Sequence, residues 1–367
     1  MRRIILLLFT ALICGCNTLQ ETRCVPFINV KDDSAFVDCI TNVELVPLEE
    51  SGDHLLGKVM DLQLLDDGYV LTDKRNANVF NYALDGTFRN RIGRKGRGPG
   101  EYNMISNVQT MDGKVLVFSY PDKVIFFTPT GDVLNEITDI PLGLQTIAVN
   151  SSFLTYYGYS GERSYRAAFI HENGDTKKYL DVEIPLMALS LENNIFSESN
   201  QDGIFFTDSY NPTVHRYRDG LFEPVFTVDF GKYSIGEKFF KYKDVFQGAE
   251  YLMSSNYGLI LSYFFGTPYS LIQVNIKDSS YDRGMTRYAL MDNESGSCRW
   301  FGLARYDSDE DIVGPFKLFA GNTLYALISP EKSEILSDGF VSKIINPEIM
   351  AFSKEADCYM IAKIRLD

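Results

Sequence analysis

Short glycine-containing turns recur along this sequence at a nearly constant spacing. Gly68 and Gly113 are 45 residues apart, and so are Gly86 and Gly131. The same kind of turn returns at Gly174, 43 residues later, and at Gly220, a further 46 residues on. Asp-Gly and Asn-Gly pairs favour tight hairpin turns because they tolerate positive φ angles, and β-branched and aromatic residues fill the segments between them. A period of about 45 residues that holds four strands is typical of the blades of a β-propeller.

Six such blades can be placed on the sequence. The first has strands at 59–65, 69–72, 79–84 and 87–92, the fifth has strands at 257–264 and 270–276, and the sixth has strands at 315–319, 323–329 and 358–366. The sixth blade is one strand short, whereas residues 41–48 form a strand without a partner nearby in sequence. We expect that strand to complete the last blade and close the ring, because pairing removes an open sheet edge. The sequence therefore predicts an all-β fold, a single six-bladed β-propeller of four-stranded antiparallel blades over residues 39–367.

The first 38 residues do not follow this pattern. Met1-Arg2-Arg3 and the apolar run Ile4–Ile13 are typical of a signal peptide, and the run is shorter than the roughly 20 residues that span a bilayer. Cys14-Gly15-Cys16 follows and resembles a lipobox, where bacterial lipoproteins are cut before a cysteine that is then acylated. We predict a signal peptide at 1–15, acylation of Cys16, and a flexible tether at 16–38. The alternative is an ordinary signal peptide that contains two cysteines.

Composition limits the partners that the chain can have. Its formal net charge of −14 argues against nucleic acid and against an anionic lipid surface. Beyond the lipobox the cysteines are Cys24, Cys39, Cys298 and Cys358, and none belongs to a C-x-x-C pair that would indicate a zinc ribbon or a redox site. Disulfides and buried free thiols are both compatible with this set.

The connector after the first blade carries a family resemblance. It reads Ile92-Gly93-Arg94-Lys95-Gly96-Arg97-Gly98-Pro99-Gly100-Glu101-Tyr102, and it follows the run Val43-Glu44-Leu45-Val46-Pro47-Leu48-Glu49 and several Asp-Gly-punctuated strands. Together these features resemble the six-bladed β-propeller lipoproteins of Bacteroidota, in which a strand ending in Ile-Gly precedes G-x-G-x-G-P-G-E-[YF]. A wider similarity is to NHL-type propellers, some of which are lyases, but no lyase motif can be placed here.

The resemblance covers nearly the whole chain after the signal peptide, and it implies a location more than an activity. It implies an outer-membrane lipoprotein of the cell envelope. Asn17–Glu21 lacks the acidic cluster that surface-exported relatives tend to carry, so we expect the protein to face the periplasm.

Topology predicts which residues share a face of the propeller. Successive antiparallel turns alternate sides. The loop between the second and third strands of a blade therefore opens on the same side as the connector to the next blade, here called the connector face. The remaining hairpin turns lie on the opposite side, the turn face. The ligand-binding candidates on the predicted connector face are Asp73, Lys74, Arg75, Arg94, Lys95, Arg97, Tyr120, Asp122, Lys123, Tyr159, Arg163, Asp208, Tyr210 and Tyr269.

Two long insertions are also predicted on the connector face. Lys232–Glu250 contains a candidate amphipathic helix at 237–246, and the second insertion spans 329–347. Long loops in a compact repeat more often serve a site than the fold, although both could simply plug the central channel.

The three cations of the glycine-rich connector allow two interpretations. Glycine-dense backbone can point several amides at one anion, and Arg94, Lys95 and Arg97 would strengthen such a nest for an acidic sugar or a carboxylate. Alternatively, Glu101 and neighbouring carboxylates neutralise these cations, and the glycines only permit tight packing between blades. We favour the second interpretation. The loop is neither a Walker loop nor a dinucleotide fingerprint.

Residues suited to catalysis are few. His54, His171 and His215 are far apart in sequence, no metal-binding spacing appears, and no G-x-S-x-G motif indicates a serine nucleophile. The loop carboxylates Asp73, Asp122, Glu162 and Asp208 could meet in pairs around the funnel, as glycoside hydrolysis or a lyase reaction would need. We name no catalytic residue, cofactor or metal.

The sequence thus favours a lipid-anchored, monomeric envelope module that binds an anionic glycan, a peptide or an envelope protein. The alternatives are a lyase or hydrolase of anionic glycans, and a structural subunit of an envelope complex.

Overall fold

The computed structural model describes residues 22–57, 59–73, 75–159, 163–182, 195–199, 203–208, 210–242, 244–278, 284–303, 316–329 and 336–367. Over these residues it confirms the six-bladed β-propeller. Lys74 and Cys16, with the predicted signal peptide and lipobox, lie outside the described residues.

The strands are numbered in chain order. They are β1 (Arg23–Pro26), β2 (Ile40–Pro47), β3 (Val59–Leu65), β4 (Gly68–Asp73), β5 (Asn78–Ala83), β6 (Phe88–Arg91), β7 (Arg94–Lys95), β8 (Glu101–Tyr102), β9 (Met104–Met111), β10 (Lys114–Tyr120), β11 (Lys123–Phe127), β12 (Val133–Ile137), β13 (Gln145–Val149), β14 (Ser152–Tyr156), β15 (Tyr165–Ile170), β16 (Thr176–Asp181), β17 (Phe196–Ser199), β18 (Gly203–Asp208), β19 (Asn211–Arg218), β20 (Leu221–Asp229), β21 (Tyr257–Phe264), β22 (Tyr269–Lys277), β23 (Met285–Asp292), β24 (Cys298–Phe301), β25 (Phe316–Ala320), β26 (Thr323–Ile328) and β27 (Met360–Leu366).

The α-helices are α1 (Ser34–Val37), α2 (Val245–Ser254), α3 (Asp338–Val341) and α4 (Glu348–Ala356), and 3-10 turns lie at Gly52–His54, Gly231–Tyr233 and Phe239–Lys241. Within the described ranges, no helix is long and apolar enough to cross a membrane.

The four strands of each blade form one antiparallel sheet, and in blades 1 to 5 they follow chain order. Blades 1 to 5 consist of β3–β6, β9–β12, β13–β16, β17–β20 and β21–β24, and blade 6 consists of β25, β26, β27 and β2. The first strands of neighbouring blades contact one another, β3 with β9, β9 with β13 and β25 with β3, so these strands surround the central axis.

The ring closes as predicted. β2 pairs antiparallel with β27, and Val43 lies opposite Ile364 and Leu45 opposite Ala362. An N-terminal strand therefore completes a blade whose other three strands come from the end of the chain.

The core is divided among the junctions between blades. Each of the six junctions has its own cluster of buried apolar side chains, such as Leu71, Phe80 and Leu327 between blades 6 and 1. The fully buried Tyr102 and Phe127 belong to the cluster between blades 1 and 2. Burial of these side chains between twisted sheets is the main force that holds neighbouring blades together.

The flexible tether predicted for residues 16–38 is wrong from Arg23 onwards. β1 pairs in parallel with β20 and adds a fifth strand to blade 4. α1 then buries Phe36 completely, and the ring of Phe36 stacks on that of Phe301 at 4.6 Å between centroids. We call residues 22–39 the N-terminal strap. Its alternating apolar residues are too few to show periodicity, which is why the sequence alone suggested a tether.

The second insertion joins the second and third strands of blade 6, and its described part, 336–347, packs along the outer edge of that blade. The Val43 amide donates to the Lys343 carbonyl at 2.9 Å, and the Ile345 amide donates to the Val43 carbonyl at 2.9 Å. The Asn346 side chain bonds both the amide and the carbonyl of Leu45. The insertion therefore covers the outer edge of β2, whose backbone groups would otherwise lack partners.

The predicted helix at 237–246 is also displaced. The first insertion forms a 3-10 turn at Phe239–Lys241 and then α2, which begins where the Asp244 carboxylate accepts a hydrogen bond from the Phe246 amide at 2.7 Å. An aspartate in this N-cap position satisfies a free amide of the first turn, and this sets the start of the helix.

The strand order of blade 5 places Tyr269 on the turn face, so its predicted position on the connector face is wrong. Because 245–254 is helical, the 257–264 segment is the first strand of the blade, and the loop that follows it is a first-to-second-strand turn. The Thr267 amide accordingly donates to the carbonyl of Gly321, which lies in the first turn of blade 6, and the Asn293 amide donates to the carbonyl of Pro268. Phe265–Tyr269 therefore belongs to the turn face.

Candidate functional site

The glycine-rich connector supplies its own anion. Glu101 Oε2 accepts the Gly98 amide at 2.9 Å, and Oε1 accepts Arg94 Nε at 2.7 Å. The Gly98 amide, with a smaller effect from Arg94, lowers the pKa of Glu101 below its usual value. The Glu101 side chain occupies the place that an external carboxylate would take in an anion nest.

A second carboxylate fastens the end of the same loop. Glu136 Oε2 accepts the Gly100 amide at 2.6 Å, and its Oε1 lies 3.0 Å from Lys123 Nζ. The Gly100 amide, ahead of Lys123, lowers the pKa of Glu136. Lys123 also donates to the Gly98 and Glu101 carbonyls. Lys123 is thus part of the framework that binds the loop to blade 2.

Two positions of this loop require glycine, because a Cβ atom there would come too close to neighbouring side chains. Gly93 has φ +64°, and a Cβ there would lie 2.7 Å from the Phe127 ring. A Cβ at Gly96 would lie 2.0 Å from Glu101 Oε2. These contacts account for Gly93 and Gly96 as packing residues, and Glu101 pairs with one of the three cations, Arg94. Lys95 and Arg97 are exposed, and the Arg94 side chain is 77 % exposed despite its pairing.

Asp73 is a structural carboxylate. It is fully buried, its Oδ1 accepts the amides of Arg75 and Asn76, and its Oδ2 accepts the Gly57 amide at 3.0 Å. The carboxylate therefore joins the loop after β4 to the connector that enters blade 1. Arg75 projects from this loop and is exposed.

A buried polar network joins blades 3 and 4 beneath the connector face. The Arg166 guanidinium pairs with the Asp208 carboxylate, and the Tyr159 hydroxyl donates to Asp208 Oδ2 at 2.9 Å. Asp208 Oδ1 accepts the Tyr210 amide at 3.1 Å. The candidates Tyr159, Asp208 and Tyr210 are thus brought together, but in a network in which Asp208 is almost completely buried.

Arg166 is the member of this network that sequence reasoning missed. It is 8 % exposed in β15, where its neighbours Ala167 and Ala168 are fully buried. A single charged residue in an otherwise apolar strand is the signal that could have identified it, because a buried charge requires a partner. Its neighbour His215 is also mostly buried, and burial, ahead of repulsion from Arg166, lowers the pKa of that imidazole.

The other predicted residues lie apart from this network. The Tyr120 hydroxyl donates to the Gly143 carbonyl, so this ring is partly buried at the junction of blades 2 and 3. Asp122 is half-buried in the next turn, and its carbonyl accepts the Ile140 amide at 3.0 Å. The Arg163 guanidinium lies 4.3 Å from the centroid of the Tyr157 ring and is exposed.

An aromatic cluster supports the first insertion on the connector face. Tyr210, Phe239, Leu252 and Leu259 are its buried members, and Tyr159, Tyr251 and Tyr257 pack against them. The rings of Tyr210 and Phe239 lie 5.0 Å apart. Burial raises the pKa of Tyr210 to about 12, so the hydroxyl stays neutral. The cluster thus fixes α2 against blades 4 and 5.

The outward side of α2 carries two exposed apolar side chains beside the exposed Glu250. Phe246 is 79 % exposed and Met253 is 72 % exposed, and their spacing of seven residues places both on one side of the helix. Leu252 and Gly248 are buried on the other side. The sequence pattern suggested an amphipathic helix but not apolar side chains turned toward solvent.

Histidine and carboxylate chemistry gains little from the fold. His54 stacks on Phe88 at 3.9 Å between centroids, and His171 lies in a turn of blade 3. Among the residues that the structure describes, no three His, Cys, Asp or Glu side chains are grouped to hold a metal ion. Glu162, one of the four loop carboxylates, lies outside that part of the chain.

Solved structures with the same fold come from Bacteroides. BF0058, a candidate exported protein from Bacteroides fragilis, superimposes with a TM-score of 0.75 at 15% sequence identity and covers 94% of this chain and 99% of its own. A member of the DUF4221 family from Bacteroides vulgatus gives a TM-score of 0.54 at 9% identity, covering 89% of this chain and 97% of its own. At these identities the likeness concerns the fold, and it supports the resemblance to Bacteroidota propellers.

No curated protein matches the chain. A family described as a domain of unknown function, DUF4934, matches residues 24–353, a range that begins inside the N-terminal strap and ends in α4. The matched range therefore includes the ring-closing strand and the glycine-rich connector. This six-bladed propeller belongs to the DUF4934 family.

Proposed function

We propose that this protein is a lipid-anchored binding module of the cell envelope whose connector face takes a polypeptide partner carrying apolar and acidic side chains. The observation that carries the proposal is the exposure of Phe246 and Met253 on the outward side of α2, whose opposite side packs against the aromatic cluster. Large exposed apolar side chains grouped on one fixed element mark a candidate surface for a partner.

Other exposed apolar residues extend this surface. Leu55 and Leu144 lie in connectors, and Met104 begins β9; they are 59 %, 36 % and 58 % exposed. They belong to the connectors or inner strands of blades 1, 2 and 3, on the same face as α2. Their distribution around the mouth suits an extended partner better than a small ligand.

Charge favours an acidic partner. Arg75, Arg94, Lys95, Arg97 and Arg163 are all exposed on the connector face. The whole chain carries a charge of −14, so a local group of cations produces a field unlike that of the rest of the surface. The partner that fits this face combines carboxylates with apolar anchors.

The glycan and enzyme alternatives receive less support. Three of the four candidate tyrosines are not available to stack on a sugar at the connector face, because Tyr159 and Tyr210 pack in the network and the aromatic cluster, and Tyr269 is on the turn face. Asp73 and Asp208, two of the four carboxylates considered for catalysis, have their oxygens engaged by the protein itself.

Anchoring is the second part of the proposal. It is supported by the lipobox-like Cys14-Gly15-Cys16, and the exported description of BF0058 fits an envelope location. Acylation of Cys16 would attach the protein to the outer membrane facing the periplasm.

Binding assays with matched variants on the two faces test the proposal. The probes are fluorescent peptides that join a Glu-rich half to a Leu- and Phe-rich half, with acidic oligosaccharides measured in parallel. We expect Phe246→Ser with Met253→Ser, and separately Arg94→Gln with Arg97→Gln, to weaken peptide binding by about tenfold or more. Leu84→Ser with Leu221→Ser on the turn face serves as the control. Equal losses for both faces, or tighter binding of the oligosaccharides, would overturn the proposal.

A further inference from the structure

A cleft of about 320 Å³, here called the rim cleft, opens at the outer rim of the junction between blades 6 and 1. Three parts of the chain line it: residues 47–50 at the end of β2, the hairpin turn 85–87 of blade 1, and residues 352–358 at the end of α4. The Glu49 amide donates to the Gly86 carbonyl at 2.9 Å, and the Leu48 amide donates to the Tyr359 carbonyl at 2.8 Å. Backbone hydrogen bonds therefore hold the three parts together and fix the walls of the cleft.

Most of the lining of the rim cleft is apolar. Pro47 and Leu48 come from the first part, and Phe352 and Ala356, about one helical turn apart, come from α4. Ile349 of α4 packs against the apolar core, yet Phe352 remains 53 % exposed. An apolar group that entered the cleft would cover this ring and would be stabilised by leaving water.

Three carboxylates line the same cleft, those of Glu49, Glu50 and Asp85. Backbone amides hold all three in place, donated by Phe88 to Glu49 at 3.0 Å, by Leu56 and Tyr359 to Glu50 at 2.8 Å, and by Thr87 to Asp85 at 3.0 Å. A carboxylate can accept about four hydrogen bonds, so each of them keeps the capacity to accept from a further donor.

The negative charge of the rim cleft is not matched by a cation. Among the residues that the structure describes, no ion pair includes any of the three carboxylates. Arg89, whose charge acts on Asp85, is itself paired with Asp67 at 2.8 Å. Burial raises the pKa of Glu50, and repulsion from Asp357 adds to this effect, although two backbone amides oppose it. A positively charged group that entered the cleft would therefore be attracted by uncompensated carboxylates.

The side of α4 that bears Phe352 is acidic as well. Glu348 lies four residues before Phe352 and Glu355 lies three residues after it, so both share its side of the helix, and both are exposed. Lys354, the basic residue of the last turn, is two residues from Phe352 and projects about 200° away around the helix. The surroundings of the exposed ring thus repeat the negative charge of the cleft.

We propose that the rim cleft binds a polypeptide segment that carries a lysine or arginine side chain next to an apolar residue. The apolar stem of the basic side chain packs against Phe352 and Leu48, and its charged end donates to Glu49 and Asp85. A positive charge over the Phe352 ring adds a cation–π attraction. The volume of about 320 Å³ is at the lower end of the range for ligand pockets, and it suits one or two side chains of a partner.

The rim cleft is separate from the proposed binding surface on the connector face. α2 packs against blades 4 and 5, whereas the rim cleft lies between blades 6 and 1. The two surfaces also differ in charge, since the connector-face cations favour an acidic partner and the rim cleft favours a basic one. They therefore select different partners, or different parts of one partner.

Binding of matched peptides tests the proposal. The probe is a fluorescent peptide in which Lys alternates with Leu, and its comparison is the peptide with Gln in place of each Lys; both are titrated with the full chain. We expect the Lys peptide to bind about tenfold more tightly than the Gln peptide. Its affinity should fall as salt is added, because salt screens the attraction between exposed charges.

Charge variants separate the rim cleft from the general acidity of the chain. Glu49→Gln with Asp85→Asn keeps the oxygens that accept the backbone amides, and we expect it to weaken binding of the Lys peptide about tenfold. Glu172→Gln with Asp219→Asn removes the same charge from two other exposed turns and should leave binding unchanged. Equal losses in the two double variants would reveal only the attraction of a basic peptide to an acidic protein, and the inference would be wrong.

Apolar variants identify the occupant. We expect Phe352→Ser to weaken binding of the Lys peptide about tenfold, and Leu221→Ser, at a residue that is 57 % exposed on blade 4, to leave it unchanged. Self-association of the chain that Phe352→Ser abolishes, without binding of the Lys peptide, would identify a second copy as the occupant and would overturn the inference. Phe246→Ser with Met253→Ser should not affect the Lys peptide, so failure of the proposed function and failure of this inference are distinguishable.

Discussion

Glu101 lies inside the loop whose glycines precede it, where its Oε2 accepts the Gly98 amide at 2.9 Å. This hydrogen bond and the Arg94–Glu101 ion pair place the negative charge of Glu101 inside the glycine-rich connector. The connector is therefore a joint between blades 1 and 2, and its other two cations, Lys95 and Arg97, are exposed at the surface.

Replacement of Glu101 tests this joint. We expect Glu101→Ala to lower the Tm and Glu172→Ala, an exposed turn residue, to leave it unchanged. The lowered pKa of Glu101 means that its contribution is fully present above the ordinary value of 4.5 and is lost as the pH falls through the folded-state value. The Tm difference between parent and variant should accordingly shrink at acidic pH in thermal melts. A difference that grew on acidification would contradict this role.

The Arg166–Asp208 pair should be far more sensitive than a surface pair. Arg166→Met or Asp208→Asn leaves an unpaired buried group, and we expect each to lower the free energy of unfolding by about 3–5 kcal/mol in urea titrations. The joint variant should lose less than the sum of the two. As the matched control, breaking Arg216–Glu223, whose side chains are 31% and 51% exposed, should cost about 1 kcal/mol or less. Similar losses at the two pairs would show that the buried network is not structural.

Phe36 tests whether the N-terminal strap is part of the fold. Phe36→Ala removes a completely buried ring, and we expect a loss of about 3–5 kcal/mol of unfolding free energy. Ile28→Ala, on the same segment but 56% exposed, should have little effect. Hydrogen exchange of the β1 amides should accelerate in Phe36→Ala only. Unchanged stability of Phe36→Ala would restore the flexible tether expected from the sequence.

Thiol reactivity should follow burial. Cys24 is exposed, Cys39 and Cys358 are buried, and burial raises the pKa of Cys298 to about 11, which keeps that thiol protonated at pH 8. We therefore expect maleimide to label Cys24 first among these four, and Cys24→Ser to remove the fast phase. Rapid labelling of Cys358 in the folded protein would contradict the structure.

The repeat was predictable because turn chemistry is local. Gly86 and Gly131 have positive φ angles of 87° and 94°, as two tight turns one period apart require. The ring-closing role of β2 followed from counting strands, since a sheet edge needs a partner. The four-residue β1 carried no such signal, because its partner β20 is some 200 residues away and only the folded ring brings them together.

The candidate site was harder to predict because the sequence does not show which polar groups are already paired. Asp73 and Asp208 occupy corresponding positions at the ends of β4 and β18, and each is buried where a loop carboxylate was expected to face solvent. Tyr269 was assigned to the wrong face because the loop before it was taken to join the second and third strands of blade 5, whereas it joins the first and second. The exposure of Phe246 depends on which side of α2 meets the aromatic cluster, and only packing determines that.

The most direct test of the account is photo-cross-linking in the intact cell envelope, with a photoreactive residue at Phe246 on the connector face or at Leu84 or Leu221 on the turn face. We expect one discrete protein adduct from Phe246 that Arg94→Gln with Arg97→Gln weakens, and no such adduct from the turn-face positions. A discrete protein adduct from Leu84 or Leu221 without one from Phe246 would contradict it.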